Sequence, residues 1–280
     1  MLFVGLSGII FIKSQRRRTM RSKDREKYLL ETARDVGFVS IRDAAEWADT
    51  SIETIRRDIN KLAKEGKLVK VRGGAEPDKL SMRHDAAYTT RVHRHRDERQ
   101  SIGRAAAELV KDGSVVALDC GVSIQAVAQS LTGKHRLTII TNSLPTATIL
   151  VHLIQTGELN GRIVFIGGEL NTENRFTKGS AVTEEIDRFF FDIAFISCTS
   201  LSEAGVSSYT LDECAYSRHL IVRSARSVLI AESEKIGKSS LYEFAKLRDF
   251  DAVITDRKNK IPQNLEKYLS EHNIEFTVAR

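Results

Sequence analysis

The run Ser51-Ile52-Glu53-Thr54-Ile55-Arg56-Arg57-Asp58-Ile59 constrains this chain most, because a second helix start at Ser40-Ile41-Arg42-Asp43 precedes it and the glycine pair Gly73-Gly74 follows it. A short helix, a tight turn and a second helix with adjacent arginines on its free face is the way a protein offers side chains to a DNA major groove. The spacing predicts a first helix from about Asp24 to Asp35 that buries Tyr28, Leu29, Ala33 and Val36, with Gly37 as its left-handed C-terminal residue. Ser40 caps the next helix, with Asp43 placed for a capping box, and Ile41, Ala44, Ala45 and Ala48 form its narrow packing face. Ser51 caps a third helix whose buried stripe is Ile52, Ile55, Ile59 and Leu62.

The free face of that third helix holds Glu53, Thr54, Arg56, Arg57, Asn60 and Lys61. Early residues on such a helix reach base edges, where arginine can bond both acceptors of guanine, and later ones meet phosphate. Lys67 to Gly74 mixes apolar and basic residues at strand spacing, so Lys70 and Arg72 sit on a β-wing against the DNA backbone. Two arginines on a helix are by themselves an ordinary solvated face. The wing and the paired caps favour DNA.

Residues 20 to 75 resemble the DNA-binding end of the DeoR family of bacterial transcription regulators, through Ser51 to Ile59 and through Val71-Arg72-Gly73-Gly74-Ala75. The family more often has His where Arg72 stands. Charge distribution agrees: residues 1 to 75 hold 17 Lys+Arg against 10 Asp+Glu, and residues 76 to 280 hold 26 against 27. A basic head on a neutral body is the footprint of a DNA-binding domain joined to another domain.

Cys120, Cys198 and Cys214 are odd in number and lack metal-ligand spacing. They read as reduced thiols of a cytoplasmic protein, with no disulfide framework, no metal and no cofactor. The apolar start Met1 to Ile12 spans only ~18 Å as a helix, against ~30 Å of hydrocarbon, and its basic run Arg16-Arg17-Arg18 lies on the wrong side for a signal peptide. No membrane association is expected, and residues 1 to 19 read as an extension or a misassigned start before Met20. Residues 76 to 100, with Pro77 and the basic cluster Arg91 to Arg96, read as a solvated linker.

From residue 101 to 280, apolar strands at 115–118, 137–140, 163–166, 193–196, 228–231 and 252–255 alternate with helical segments at 102–110, 123–131, 145–156, 180–190 and 213–226. That rhythm predicts a Rossmann-like parallel α/β sheet covered on both faces. Ligands of such sheets bind beyond the C-terminal strand ends. Those ends here are small and polar: Asp119 to Ser123, Thr141 to Ser143, Gly167 to Glu169, Ser197 to Ser200 and Glu232 to Lys238. Each alone is an ordinary turn, but several on one edge favour a pocket in which backbone N–H groups and a lysine hold a phosphate.

This half resembles the DeoR effector domain, which is similar to ribose-5-phosphate isomerases and CoA transferases and senses phosphorylated sugars. The resemblance implies effector contacts from Asp119, Gly121 and Ser123, from Asn142 and Ser143, and from Gly167 and Gly168. It also implies Gly179, Gly205, Glu213 and Lys235 around the same site. Val122, Ser123 and Ile124 depart from a threonine-rich loop, and Ser217 from a lysine. The expected partners are double-stranded operator DNA, a small phosphorylated sugar and further copies of the chain in a homo-oligomer. Two rivals remain: an isomerase-like enzyme with Asp119 as base, and a DNA-binding protein whose second half only oligomerises.

Overall fold

The computed structural model describes residues 21–36, 38–77, 88–93 and 95–280. The expectations for residues 1 to 19 and for Gly37 lie outside the described residues. The chain divides into two compact units, Met1–Met82 and Arg83–Arg280.

The first unit consists of α1 (Ser22–Val36), β1 (Val39–Ser40), α2 (Ile41–Trp47), α3 (Ile52–Lys64), β2 (Leu68–Val71) and β3 (Gly74–Pro77). Ser40 caps α2 by accepting the Asp43 N–H at 3.4 Å, but the Asp43 carboxylate makes no return bond among the described residues, so half of the expected capping box forms. Ser51 caps α3 through the Thr54 N–H at 3.1 Å. Leu29, Ala33, Ala44, Ala48, Ile55, Ile59 and Leu62 close one core, each apolar side chain of Leu or Ile size contributing about 1.5–3 kcal/mol on full burial.

Ile52 departs from its expected place in that core and is 43% exposed. The fourth buried position on α3 is instead Asp58, whose carboxylate accepts from Arg25 Nε at 2.7 Å and Nη2 at 3.4 Å and so ties α1 to α3. The wing is a three-stranded sheet ordered β1-β3-β2, in which the short β1 carries no sequence signal of its own. Its tip needs glycine twice: Gly73 has φ +87°, and a Cβ on Gly74 would stand 2.1 Å from the Val39 carbonyl.

The second unit begins with α4 (Tyr88–His93), α5 (Arg96–Glu108), β4 (Val115–Leu118), α6 (Val122–Gln129), β5 (Leu137–Thr141), α7 (Leu144–Gln155) and β6 (Gly161–Phe165). There follow β7 (Glu169–Asn171), β8 (Phe176–Lys178), α8 (Ser180–Ile186), β9 (Ile193–Ser197), β10 (Ser200–Ser202), β11 (Gly205–Ser208) and α9 (Leu211–Val222). The chain ends with β12 (Ser227–Ile230), β13 (Tyr242–Ala245), β14 (Ala252–Asp256), α10 (Gln263–Glu271) and β15 (Glu275–Ala279).

A seven-stranded sheet ordered β15-β14-β12-β9-β4-β5-β6 is parallel throughout. Alternate residues serve opposite cores: Ala117, Ala194, Leu229 and Val253 face one, and Leu118, Phe195, Ile230 and Ile254 the other. Burial on both faces explains why these strands read as unbroken apolar runs. Strand order reverses between β4 and β9, the switch point beyond which such sheets bind ligands.

Two differences from the sequence-based expectation matter. Residues expected as a solvated linker carry α4 and α5 of the second unit, with Arg91 and His95 partly buried. Beside the main sheet lie the antiparallel sheet β10-β11-β13 and the β7-β8 hairpin, whose strands of three or four residues are too short to give an apolar run.

Candidate functional site

On the first unit, α3 presents Glu53, Arg56, Arg57, Asn60 and Lys61 to solvent, with Thr54 half-buried. Arg56 lies 3.6 Å from Glu53, and Arg57 makes no ion pair or hydrogen bond among the described residues. Lys61 is tied to Glu26 of α1 at 2.8 Å, a hydrogen bond that raises the lysine and lowers the glutamate from their ordinary pKa values. Lys70 and Arg72 are exposed on the wing. Ser40 and Ser51 are caps, and the Ser51 hydroxyl is engaged by Thr54 Oγ1 at 2.8 Å.

On the second unit the switch point is built around Asp119, 1% exposed at the end of β4. Its Oδ1 accepts the Cys120 N–H at 2.7 Å, and its Oδ2 accepts the Ser197 N–H at 3.0 Å and the Ser217 hydroxyl at 2.9 Å. The carboxylate thus joins β4, β9 and α9 and has both oxygens occupied. These bonds give Asp119 a structural role at the strand ends. Ser217, which departs from the lysine of the family pattern, is buried against that carboxylate, so a cation there would meet Asp119 first.

Gly121 opens α6 with φ +115°, and a Cβ on it would lie 2.8 Å from Ser197 Oγ. Ser123 is buried and donates to Glu232 Oε1 at 2.8 Å. Glu232, 3% exposed, also meets Lys235 Nζ at 2.6 Å and Arg99 Nη1 at 3.8 Å. Arg99 in turn donates to the backbone carbonyls of Arg91 and Val92, closing the last turn of α4. One carboxylate therefore links two predicted effector residues to the segment expected as linker. Glu232 opens one of the polar strand ends, but no motif position singles it out, and its partners come from distant parts of the chain.

Asn142 is buried at the end of β5, donating to the Thr177 carbonyl at 2.9 Å, and its Oδ1 has no partner among the described residues. The buried Tyr216 hydroxyl lies against the Asn142 backbone outside hydrogen-bond geometry. Glu213, in the first turn of α9, accepts from Ser208 at 2.6 Å and adds negative charge near Asp119. The other expected residues take structural places. Ser143 caps α7 through Thr146, Gly168 and Gly179 flank the β7-β8 hairpin beside exposed Gly167, and Gly205 pairs with Ser202 in a hairpin. Val122 and Ile124 are buried, Ile124 in the core.

Burial raises Asp119 to about 7 against the pull of its three donors, with Glu213 adding repulsion. Burial also works against ionised Glu232, but the Lys235 ammonium and the Ser123 hydroxyl outweigh it and hold that carboxyl at about 2. An unfolded aspartate titrates at ~3.9, so the Asp119 contribution to stability is full below about pH 4 and lost as pH rises through about 7. Glu232 behaves oppositely, contributing above the unfolded value of ~4.3 and losing that contribution as pH falls through about 2. Equilibrium denaturation of the sensor unit in the full chain should therefore show stability falling by a few kcal/mol, ~1.4 kcal/mol per pH unit, between about pH 4 and 7. Asp119→Asn should flatten that slope, and an unchanged slope would refute the assignment to Asp119.

Among the described residues no helix is long and apolar enough to cross a membrane, and no group of His, Cys, Asp or Glu is placed to hold a metal. A winged helix-turn-helix unit and a parallel α/β unit with a polar switch point, joined in one chain, define a two-part transcription regulator. Residues 25–79 match the DeoR-like helix-turn-helix domain and residues 94–257 the DeoR C terminal sensor domain. The chain belongs to the DeoR family.

An uncharacterized HTH-type transcriptional regulator of Escherichia coli K12, YgbI, is 30% identical over 92% of this chain and 98% of its own. The HTH-type transcriptional repressor GlcR of Bacillus subtilis is 29% identical over 85% and 90%, and the glycerol-3-phosphate regulon repressor of E. coli K12 is 27% identical over 93% and 100%. These relatives are transcription regulators, which decides against the isomerase alternative. Among solved structures, ribose 5-phosphate isomerase A of Methanocaldococcus jannaschii is similar at 15% identity and a TM-score of 0.35, covering 50% of this chain and 54% of that one.

Proposed function

We propose that this protein is a sequence-specific cytoplasmic repressor of a carbohydrate-use operon, that it binds operator DNA as a homo-oligomer, and that a phosphorylated sugar held at the sensor strand ends controls it. The exposed Arg56–Arg57 pair on a helix capped by Ser51 and steadied by Arg25–Asp58 carries the reading, since it sets two guanidinium groups on one rigid face beside a basic wing. Relatives named as repressors, one of them of a glycerol-3-phosphate regulon, support repression and a phosphorylated ligand. At the sensor, the α6 start at Gly121, the Lys235 ammonium and the unpartnered Asn142 Oδ1 supply donors for a phosphate and an acceptor for a sugar hydroxyl.

Selection from a random duplex library followed by anisotropy titration tests DNA recognition, and adding a panel of sugar phosphates to the complex tests control. At least one sugar phosphate should change operator affinity about fivefold or more, as expected for a coupling of roughly 1–3 kcal/mol. Lys235→Ala should keep operator affinity and lose most of that response, since removal of a charge-assisted bond costs about 1.5–3 kcal/mol. A response equal to the wild type would remove Lys235 from the site.

A further inference from the structure

Ile52 has no role in the function proposed above, and its exposure calls for an account. It is the first residue of α3, expected in the buried stripe yet 43% exposed, while Ile55, Ile59 and Leu62 below it are at most 2% exposed. A single exposed isoleucine is ordinary on a protein surface, so position is what distinguishes this one. At 100° per residue Ile52 stands about 40° around the helix from Arg56 and one turn of ~5.4 Å earlier, at the edge of the exposed face that continues through Asn60 and Glu53. Ile52 borders an open depression lined by Arg42, Glu46, Asp49 and Thr50, and residues at the start of such a helix are those that reach base edges.

The major groove offers one apolar group, the 5-methyl of thymine. A branched aliphatic side chain can bury that methyl without any hydrogen bond, and an isoleucine placed there loses nothing by being unpaired in the free protein. We infer that Ile52 is a base-reading residue that contacts a thymine 5-methyl group within about two base pairs of the site read by Arg56, at ~3.4 Å per base pair. This rests on the reading of the first unit as a sequence-specific DNA binder. It adds an apolar determinant of specificity to the polar ones.

Deoxyuridine differs from thymine only by the missing methyl, so the test replaces each thymine of the selected duplex singly by deoxyuridine and measures binding of the full chain by anisotropy. At one position of each half-site the wild type should lose about fourfold in affinity, the fold-change of one buried methyl. Ile52→Ala should bind the parent duplex about as weakly and show no further loss with deoxyuridine there, whereas Ile52→Thr, which keeps a methyl, should retain part of the discrimination. Unchanged thermal melting of both variants shows that the head remains folded, as expected for a half-exposed side chain. Equal wild-type affinity for every deoxyuridine duplex, or the same penalty in Ile52→Ala as in the wild type, overturns the inference while leaving the regulator reading intact. Failure of the selection to enrich any sequence overturns both.

Discussion

Arg56→Ala with Arg57→Ala should weaken binding to the selected operator by about one and a half to four orders of magnitude while the sensor unit melts as in the wild type. Both guanidinium groups are exposed, and neither supports the core built by Ile55, Ile59 and Leu62, so their removal acts on DNA rather than on folding. A good bidentate arginine–guanine pair is worth about 1–3 kcal/mol of discrimination, which for two sites gives the range stated. The single variants separate the roles. Removing an arginine that reads a base relaxes sequence preference at that position, whereas removing one that meets a phosphate weakens all duplexes alike and lowers the salt slope by about 0.9. Arg56 leans on Glu53 and must leave it to reach a base, so Arg57, which has no such tie among the described residues, is expected to carry the larger single effect. Wild-type affinity in the double variant would move the reading face off α3.

The second large effect is on stability. Asp119→Ala should destabilise the sensor unit by roughly 3–5 kcal/mol, because the Cys120 and Ser197 N–H groups and the Ser217 hydroxyl would lose their acceptor inside the fold, and each buried unsatisfied group costs about 1–3 kcal/mol. The loss should be seen as a lowered denaturation midpoint and as faster amide exchange at Cys120 and Ser197, the ends of β4 and β9. The helix-turn-helix unit has its own core and should keep its exchange protection. An Asp119→Ala protein as stable as the wild type, with unaltered exchange at these amides, would show that Asp119 is not the tie between the two strands.

Much of the fold is legible in the residues because it rests on local chemistry. Ser40 and Ser51 cap helices in either context, and the period of Ile55, Ile59 and Leu62 suits one face only. The strands of the parallel sheet announce themselves as apolar runs because both of their faces are covered. Local patterns also mislead. Ile52 fits the helical period but lies at the margin of the face that α1 and α2 cover, and Asp58 is buried because Arg25, far away in sequence, meets it. Ser143 caps a helix and Gly205 turns a hairpin, and polar and glycine turns near a strand end are alike in sequence whether they cap, turn or face a ligand.

The sequence by itself determined the helix-turn-helix with its arginine face, the wing, and the parallel α/β character of the rest, since periodicity, caps and turn glycines are properties of neighbouring residues. Tertiary structure alone decided that Asp119 ties β4 to β9 and α9, and that Glu232 gathers Ser123, Lys235 and Arg99. It also decided that residues 88 to 99 belong to the sensor unit. A carboxylate takes its role from the donors that folding brings to it. Those donors come from strands and helices that lie far apart in the chain and adjacent in the sheet, so no local pattern encodes them.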